Sequence, residues 1–178
     1  MVEQVESKCS VTDAHSACVA VSPNDIAGFA SPAYAKRVAD AGLPAILMAT
    51  DYQPGDPVGL DATHKALATI VTRCADVGVD NYILDPAVGL WTPFRSVDDD
   101  WDLCRNYETF QKYDRPILAA VSRKSFIGDV VNREPVDRLA GSLAVTMELL
   151  RKGASMVRTH DVPQTVDTIR VFSRLVKR

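Results

Sequence analysis

Five short apolar runs punctuate the chain: ACVAV (17–21), PAILMA (44–49), NYILD (81–85), PILAAV (116–121) and SMVRT (155–159). Runs of this length bounded by turn residues read as strands, and an amphipathic segment of helical period lies between each and the next, or before the chain end. The centres Leu47, Leu84, Val121 and Val157 stand 37, 37 and 36 residues apart. A strand, a loop, a helix and a return loop need about thirty residues or more, so the rhythm predicts βα units forming a parallel sheet with helices outside it.

The punctuation between the runs agrees. Ser31-Pro32 offers a helix N-cap followed by proline at the first helical position, and Ala41-Gly42 closes that segment. A helix near 64–77 ends at Gly78, and one near 137–152 ends at Gly153. Asp98-Asp99-Asp100 precedes WDLCRNYETFQKY, where acidic residues favour a helix start, and the charge run itself reads as a solvated first turn. Five units do not close an eight-stranded barrel, which takes about 250 residues, so the expected fold is α/β, a partial TIM (β/α)8 barrel in one domain over 1–178. An open doubly wound sheet is the alternative. It calls for a glycine-rich first turn, and ACVAVSPNDIAGF carries one late glycine.

Composition narrows the function classes. Of 178 residues 47% are hydrophobic, enough to bury a sizeable core without metals or disulfides. Twenty Lys+Arg against 23 Asp+Glu leave a net charge of -3, which excludes a general basic field for nucleic acid and makes any phosphate affinity local. Cys9, Cys18, Cys74 and Cys104 form no C-x-x-C pair and read as reduced core thiols, with no metal site among them. The start MVEQVESKCS lacks a secretory pattern, and no run reaches the roughly 18 apolar residues of a membrane span, so a cytoplasmic protein is expected.

In a parallel barrel the chemistry gathers at the C-terminal strand ends. The residues there are Asn24 and Asp25, Met48, Asp85, Ser122-Arg123-Lys124-Ser125, and Arg158-Thr159-His160-Asp161. Each has a bland reading: Asp85-Pro86 as a turn, His160 as a core histidine, Arg123 as a helix-side cation, Met48 as plain core. Taken together, Lys124, Arg158 and His160 would meet where the last two strands of a barrel bind phosphate, which implies an anionic ligand portion. Asn24 and Asp85, an amide and a carboxylate, suit a planar ligand that alternates donors and acceptors.

SRKSFIG (122–128), RLAGSLA (138–144), GA..VRTHDV (153–162) and ILDP (83–86) resemble dihydropteroate synthase in its archaeal form, over roughly residues 18–175. The resemblance implies condensation of 6-hydroxymethyl-7,8-dihydropterin pyrophosphate with p-aminobenzoate, giving dihydropteroate and pyrophosphate in folate synthesis. By motif, Asn24 and Asp85 would bond the pterin, Met48 would pack beside it, Lys124 would touch both substrates, and Ser125 would hold the aminobenzoate carboxylate. Arg158 and His160, with Ser122 nearby, would bind pyrophosphate; Lys124 and Asp85 are the catalytic candidates. Mg2+ is implied as a companion of the pyrophosphate. The family's three earlier strand units, including the loop that carries its magnesium-associated Asn, do not precede Asn24, so the expected partners are a second copy or a complementing N-terminal chain. A non-catalytic pterin-binding or assembly subunit and a truncated remnant stay open as alternatives. Within the family's aminobenzoate loop, DPAVGLWTP places Leu90 and Trp91 at positions that usually differ.

Overall fold

The computed structural model describes residues 22–176. Five strands, β1 (Asn24–Asp25), β2 (Ala45–Met48), β3 (Tyr82–Asp85), β4 (Leu118–Ala119) and β5 (Met156–Val157), alternate with six α-helices. The helices are α1 (Pro32–Asp40), α2 (Gly59–Val77), α3 (Val97–Arg105), α4 (Ser125–Val131), α5 (Leu139–Arg151) and α6 (Val162–Val176). Strands β1, β2 and β3 pair in parallel, as do β4 and β5. A parallel bridge between Leu84 and Ile117, with the Leu84 amide donating to the Pro116 carbonyl at 2.9 Å, joins the two groups. The order β1-β2-β3-β4-β5 thus follows the chain, as in an arc of a βα barrel.

The strand run expected at 17–21 lies outside the described residues. Within the described residues Asn24 pairs opposite Ile46 and Asp25 opposite Leu47, so two residues expected in a loop are themselves strand.

Side-chain parity divides the molecule into two cores. Leu47, Leu84, Ile117, Ala119 and Val121 share one face of the sheet and are buried in the large cluster under the helices, with Leu67, Ile70, Leu103, Phe110 and Leu149. Ile46, Leu118 and Ala120, with the partly buried Ile83 and Met156, make a second, smaller cluster on the other face. Because successive strand residues point to opposite faces, the second cluster carries Asn24, Asp85, Ser122, Arg158 and His160 above it at the same parity. Strand period alone therefore delivers the polar residues to the concave side.

The helix ends are set by local chemistry. The Ser31 hydroxyl accepts from the Tyr34 amide, with Pro32 in the first turn, and Gly78 ends α2 in the left-handed conformation at φ 72°. Helix α2 begins at Gly59, five residues before the expected start. The segment expected as one helix over 101–113 divides: α3 starts at Val97 under a Ser96–Asp99 capping box, and Tyr107–Tyr113 is a 3-10 turn. Gly128 lies inside α4, where a Cβ would fall 2.2 Å from the Arg138 guanidinium carbon, so its role is close packing. Among the described residues, no helix is long and apolar enough to cross a membrane.

Candidate functional site

At the C-terminal end of the sheet, Arg158 reaches across from β5 to the far side of the arc. Its Nη1 donates to Asn24 Oδ1 and its Nη2 to Asp85 Oδ2, each at 3.0 Å. Asp85 is buried, and its other oxygen accepts from the Ala87 amide at 2.8 Å. That bond turns the chain sharply, with Ala87 at φ 59°. Burial pushes the Asp85 carboxyl above its ordinary value, while Arg158, the Ala87 amide and Lys124 pull it back. Met48 stands beside Asp85 in register and is buried.

Arg158, expected at the pyrophosphate, and Asn24 and Asp85, expected at the pterin, are thus brought into direct contact with one another. The sequence separations of 134 and 73 residues left no local sign of that contact.

His160 and Ser122 meet at the ends of β5 and β4. The Ser122 hydroxyl oxygen accepts from the His160 amide at 3.2 Å and lies 3.0 Å from Nδ1 of the same residue. With the backbone proton received, the hydroxyl can donate to Nδ1, which makes Nε2 the ring donor. Arg123 turns away from the site at φ 59°, and its guanidinium forks onto Asp161 at 3.1 and 2.5 Å, holding the loops after β4 and β5 together. The fork also keeps the Asp161 carboxyl below its ordinary value.

Lys124 ends the loop after β4, and Phe126 and Ile127 behind it are buried. Its Nζ lies 4.9 Å from the centroid of the Trp91 ring. Burial depresses its pKa, Asp85 and Asp100 oppose that shift, and Arg158 and Arg95 add to it. Ser125 and Leu90, both expected on the aminobenzoate side, line one open groove of about 580 Å³ with Val97, Asn132 and Arg138.

The sequence reading missed a second ionic centre. Asp100, read as part of a solvated run, is fully buried and bonds Arg95 at 2.9 Å with no exposure of either side chain. The Gly89 amide donates to the same Asp100 oxygen at 2.7 Å. A signal was present: Asp100 stands three residues after Val97 and four before Cys104, on the buried face of α3. Among the described residues no group of three or more His, Cys, Asp or Glu could hold a metal ion. Cys74 and Cys104 are free and buried, as expected, and Cys9 and Cys18 lie outside the described residues.

Residues 7–160 match the family described as pterin binding enzyme. The dihydropteroate synthase of Escherichia coli K12 is 31% identical over 160 residues, covering 83% of this chain and 55% of its own length. A Coxiella burnetii dihydropteroate synthase solved with pteroic acid superposes with a TM-score of 0.79 at 28% identity, covering 87% of this chain and 60% of that one. A Xanthomonas albilineans dihydropteroate synthase with 4-aminobenzoic acid superposes with a TM-score of 0.77 at 30% identity, covering 87% and 59%. The chain thus spans little more than half the length of the relatives it matches. A (β/α) arc with its polar residues at the strand ends, matched by the family over most of its length, belongs to the pterin binding enzymes.

Proposed function

We propose that this chain supplies the pterin-binding and acceptor-binding part of a dihydropteroate synthase of the archaeal type, whose loop DPAVGLWTP carries Leu90 and Trp91. The carrying observation is the Arg158 guanidinium laid across Asn24 and Asp85 at 3.0 Å on each side. A planar N–C–N donor edge fits those acceptors, and the 2-amino-pyrimidinone edge of a pterin presents the same arrangement. In this reading the pterin takes over the acceptors, Met48 packs beside it, and Arg158 turns to the pyrophosphate with His160 and Ser122.

The reaction is a displacement. The arylamine nitrogen gives its lone pair to the pterin methylene carbon, the carbon–oxygen bond breaks, and its electrons leave on pyrophosphate; the amine proton passes to solvent. Arg158 and the Nε2 donor of His160 stabilise the departing charge, and Lys124, with Ser125 on the carboxylate, aligns the acceptor. Asp85 fixes the pterin and balances the cations. Mg2+ belongs to this proposal only as a companion of the pyrophosphate, and none of these steps depends on it. Turnover is proposed for the barrel completed by the further strands that the longer relatives carry, in the cytoplasm.

The test mixes the protein, supplied with the further strand units of a longer relative, with 6-hydroxymethyl-7,8-dihydropterin pyrophosphate, p-aminobenzoate and Mg2+ and follows pyrophosphate release. Release that depends on p-aminobenzoate and disappears in Arg158→Ala supports the proposal. Saturable binding of the pterin without release, lost in Arg158→Ala, would replace it with a non-catalytic pterin-binding subunit.

A further inference from the structure

The buried pair Arg95–Asp100 sits at the junction of three pieces of backbone. Asp100 Oδ1 takes the Gly89 amide at 2.7 Å and Arg95 Nη2 at 2.9 Å. Arg95 Nη1 reaches the Gly55 carbonyl in the loop after β2 at 3.4 Å. Between these anchors, the Trp91 amide bonds the Gly89 carbonyl and the Arg95 amide bonds the Thr92 carbonyl, so residues 89–95 form a closed circuit around the carboxylate. Trp91 lies directly on Gly55, where a Cβ would fall 2.3 Å from the ring and φ is already +68°.

The other face of this assembly is Lys124. Its Nζ stands over the Trp91 ring, and a Cβ on Gly89, at φ +135°, would meet that Nζ at 2.7 Å. Helix α3, which supplies Asp100, also supplies Trp101, whose ring meets Phe126 edge to face at 4.7 Å on the helix that follows Lys124. Lys124 is therefore held from two sides by elements that α3 organises.

Such a pair is a costly way to gain stability alone, since an apolar pair of similar volume serves a core as well. Four atoms here, Arg95 Nε, Asp100 Oδ2, Trp91 Nε1 and Thr92 Oγ1, are buried with no hydrogen-bond partner among the described residues. We propose that Arg95 and Asp100 are positioning residues: they tie the loop after β3 to the loop after β2, press Trp91 and Gly89 onto the Lys124 side chain, and so fix where its ammonium meets the aromatic acceptor. The inference rests on the proposed function only for the identity of what the ammonium meets.

The experiment needs no turnover. Lysine side chains carrying 13C-methyl labels are titrated by NMR in the unliganded protein, with the Lys124 signal assigned by its loss in Lys124→Arg. The groups facing Lys124 are Asp85, Asp100, Arg158 and Arg95. In the double variant Arg95→Met/Asp100→Asn, which leaves no single charge buried, the loop lifts and water reaches the ammonium. The Lys124 midpoint then moves up toward the ordinary lysine value, and Trp91 emission shifts to longer wavelength in a Trp101→Phe background. A purely structural pair far from the ammonium predicts an unmoved midpoint in a folded double variant, and either that or a downward move overturns the proposal. If the double variant gives no cooperative melt, Arg95→Lys decides the question, because it keeps the charge but loses the reach to Gly55: an upward move supports the proposal and an unmoved midpoint overturns it. Activity is read separately. A tenfold or greater rise in KM for p-aminobenzoate with kcat little changed is the expected kinetic form. A midpoint that moves in a protein that shows no turnover even when supplied with the further strand units sinks the proposed function while leaving the positioning intact.

Discussion

Arg95–Asp100 and Arg158–Asp85 are built from the same residue types at nearly the same separation, 2.9 and 3.0 Å, yet they differ in their access to water. The Arg95 side chain is 0% exposed and that of Arg158 is 37% exposed. A guanidinium sealed on all sides cannot leave its carboxylate without stranding two charges, whereas one with an open flank can exchange partners. The first pair therefore fixes geometry. Under the proposed function, the second holds the acceptors in the unliganded protein and releases them to a ligand that offers the same donor edge.

Removing each arginine in turn and measuring stability separates the two pairs most widely. Arg95→Ala strands a buried aspartate and should cost about 3–5 kcal/mol in chemical denaturation. Arg158→Ala should cost only about 1 kcal/mol, because water reaches its place and Asp85 keeps the Ala87 amide. Equal losses would refute the distinction between a sealed and an exchangeable pair. Ligand binding should reverse the ranking. Arg158→Ala should weaken binding of the pterin pyrophosphate at least tenfold, about 1.4 kcal/mol, in calorimetric titration, and a folded Arg95→Lys should leave it within about threefold.

Acid offers a finer test. Burial, outweighing Arg158, lifts the Asp85 carboxyl, so the folded protein takes up that proton at a higher pH than the unfolded chain does. As pH falls between those two values, this group adds stability to the fold. Asp161 has the opposite sign, because the Arg123 fork holds it below its ordinary value. Its contribution is complete above the ordinary aspartate range and is lost as pH falls through the folded value. In denaturation series from about pH 7 to about pH 3, Asp161→Asn should flatten the loss of stability and Asp85→Asn should steepen it. Parallel changes in the two variants would contradict these assignments. The smallest effect concerns the thiols: burial pushes Cys74 and Cys104 up to about 12, so alkylation and peptide mapping at neutral pH should find both unlabelled until the protein unfolds.

The contrast also marks what the sequence could show. The spacing of Leu47, Leu84, Val121 and Val157 foretold parallel βα units, and the rule that chemistry gathers at C-terminal strand ends singled out Asn24, Asp85, Ser122, Arg158 and His160, which the strand register then puts on one face. Ser122-Arg123-Lys124-Ser125 was legible for the same reason. The Arg158 bridge was not, because its partners lie far away in the chain and meet it only when the arc forms. Asp100 was misread because charge dominated the reading of 98–100. Its helical spacing from Val97 and Cys104 pointed inward, and only a buried cation five residues upstream makes that position tolerable.

In the proposed function Asn24 and Asp85 are acceptors for a pterin edge, held by Arg158 until the ligand arrives. Calorimetric titration of the protein and of Asp85→Asn with 6-hydroxymethyl-7,8-dihydropterin pyrophosphate tests it most directly. Saturable binding by the parent protein and at least a tenfold loss in a folded Asp85→Asn are expected. Undiminished binding in that variant would contradict that role.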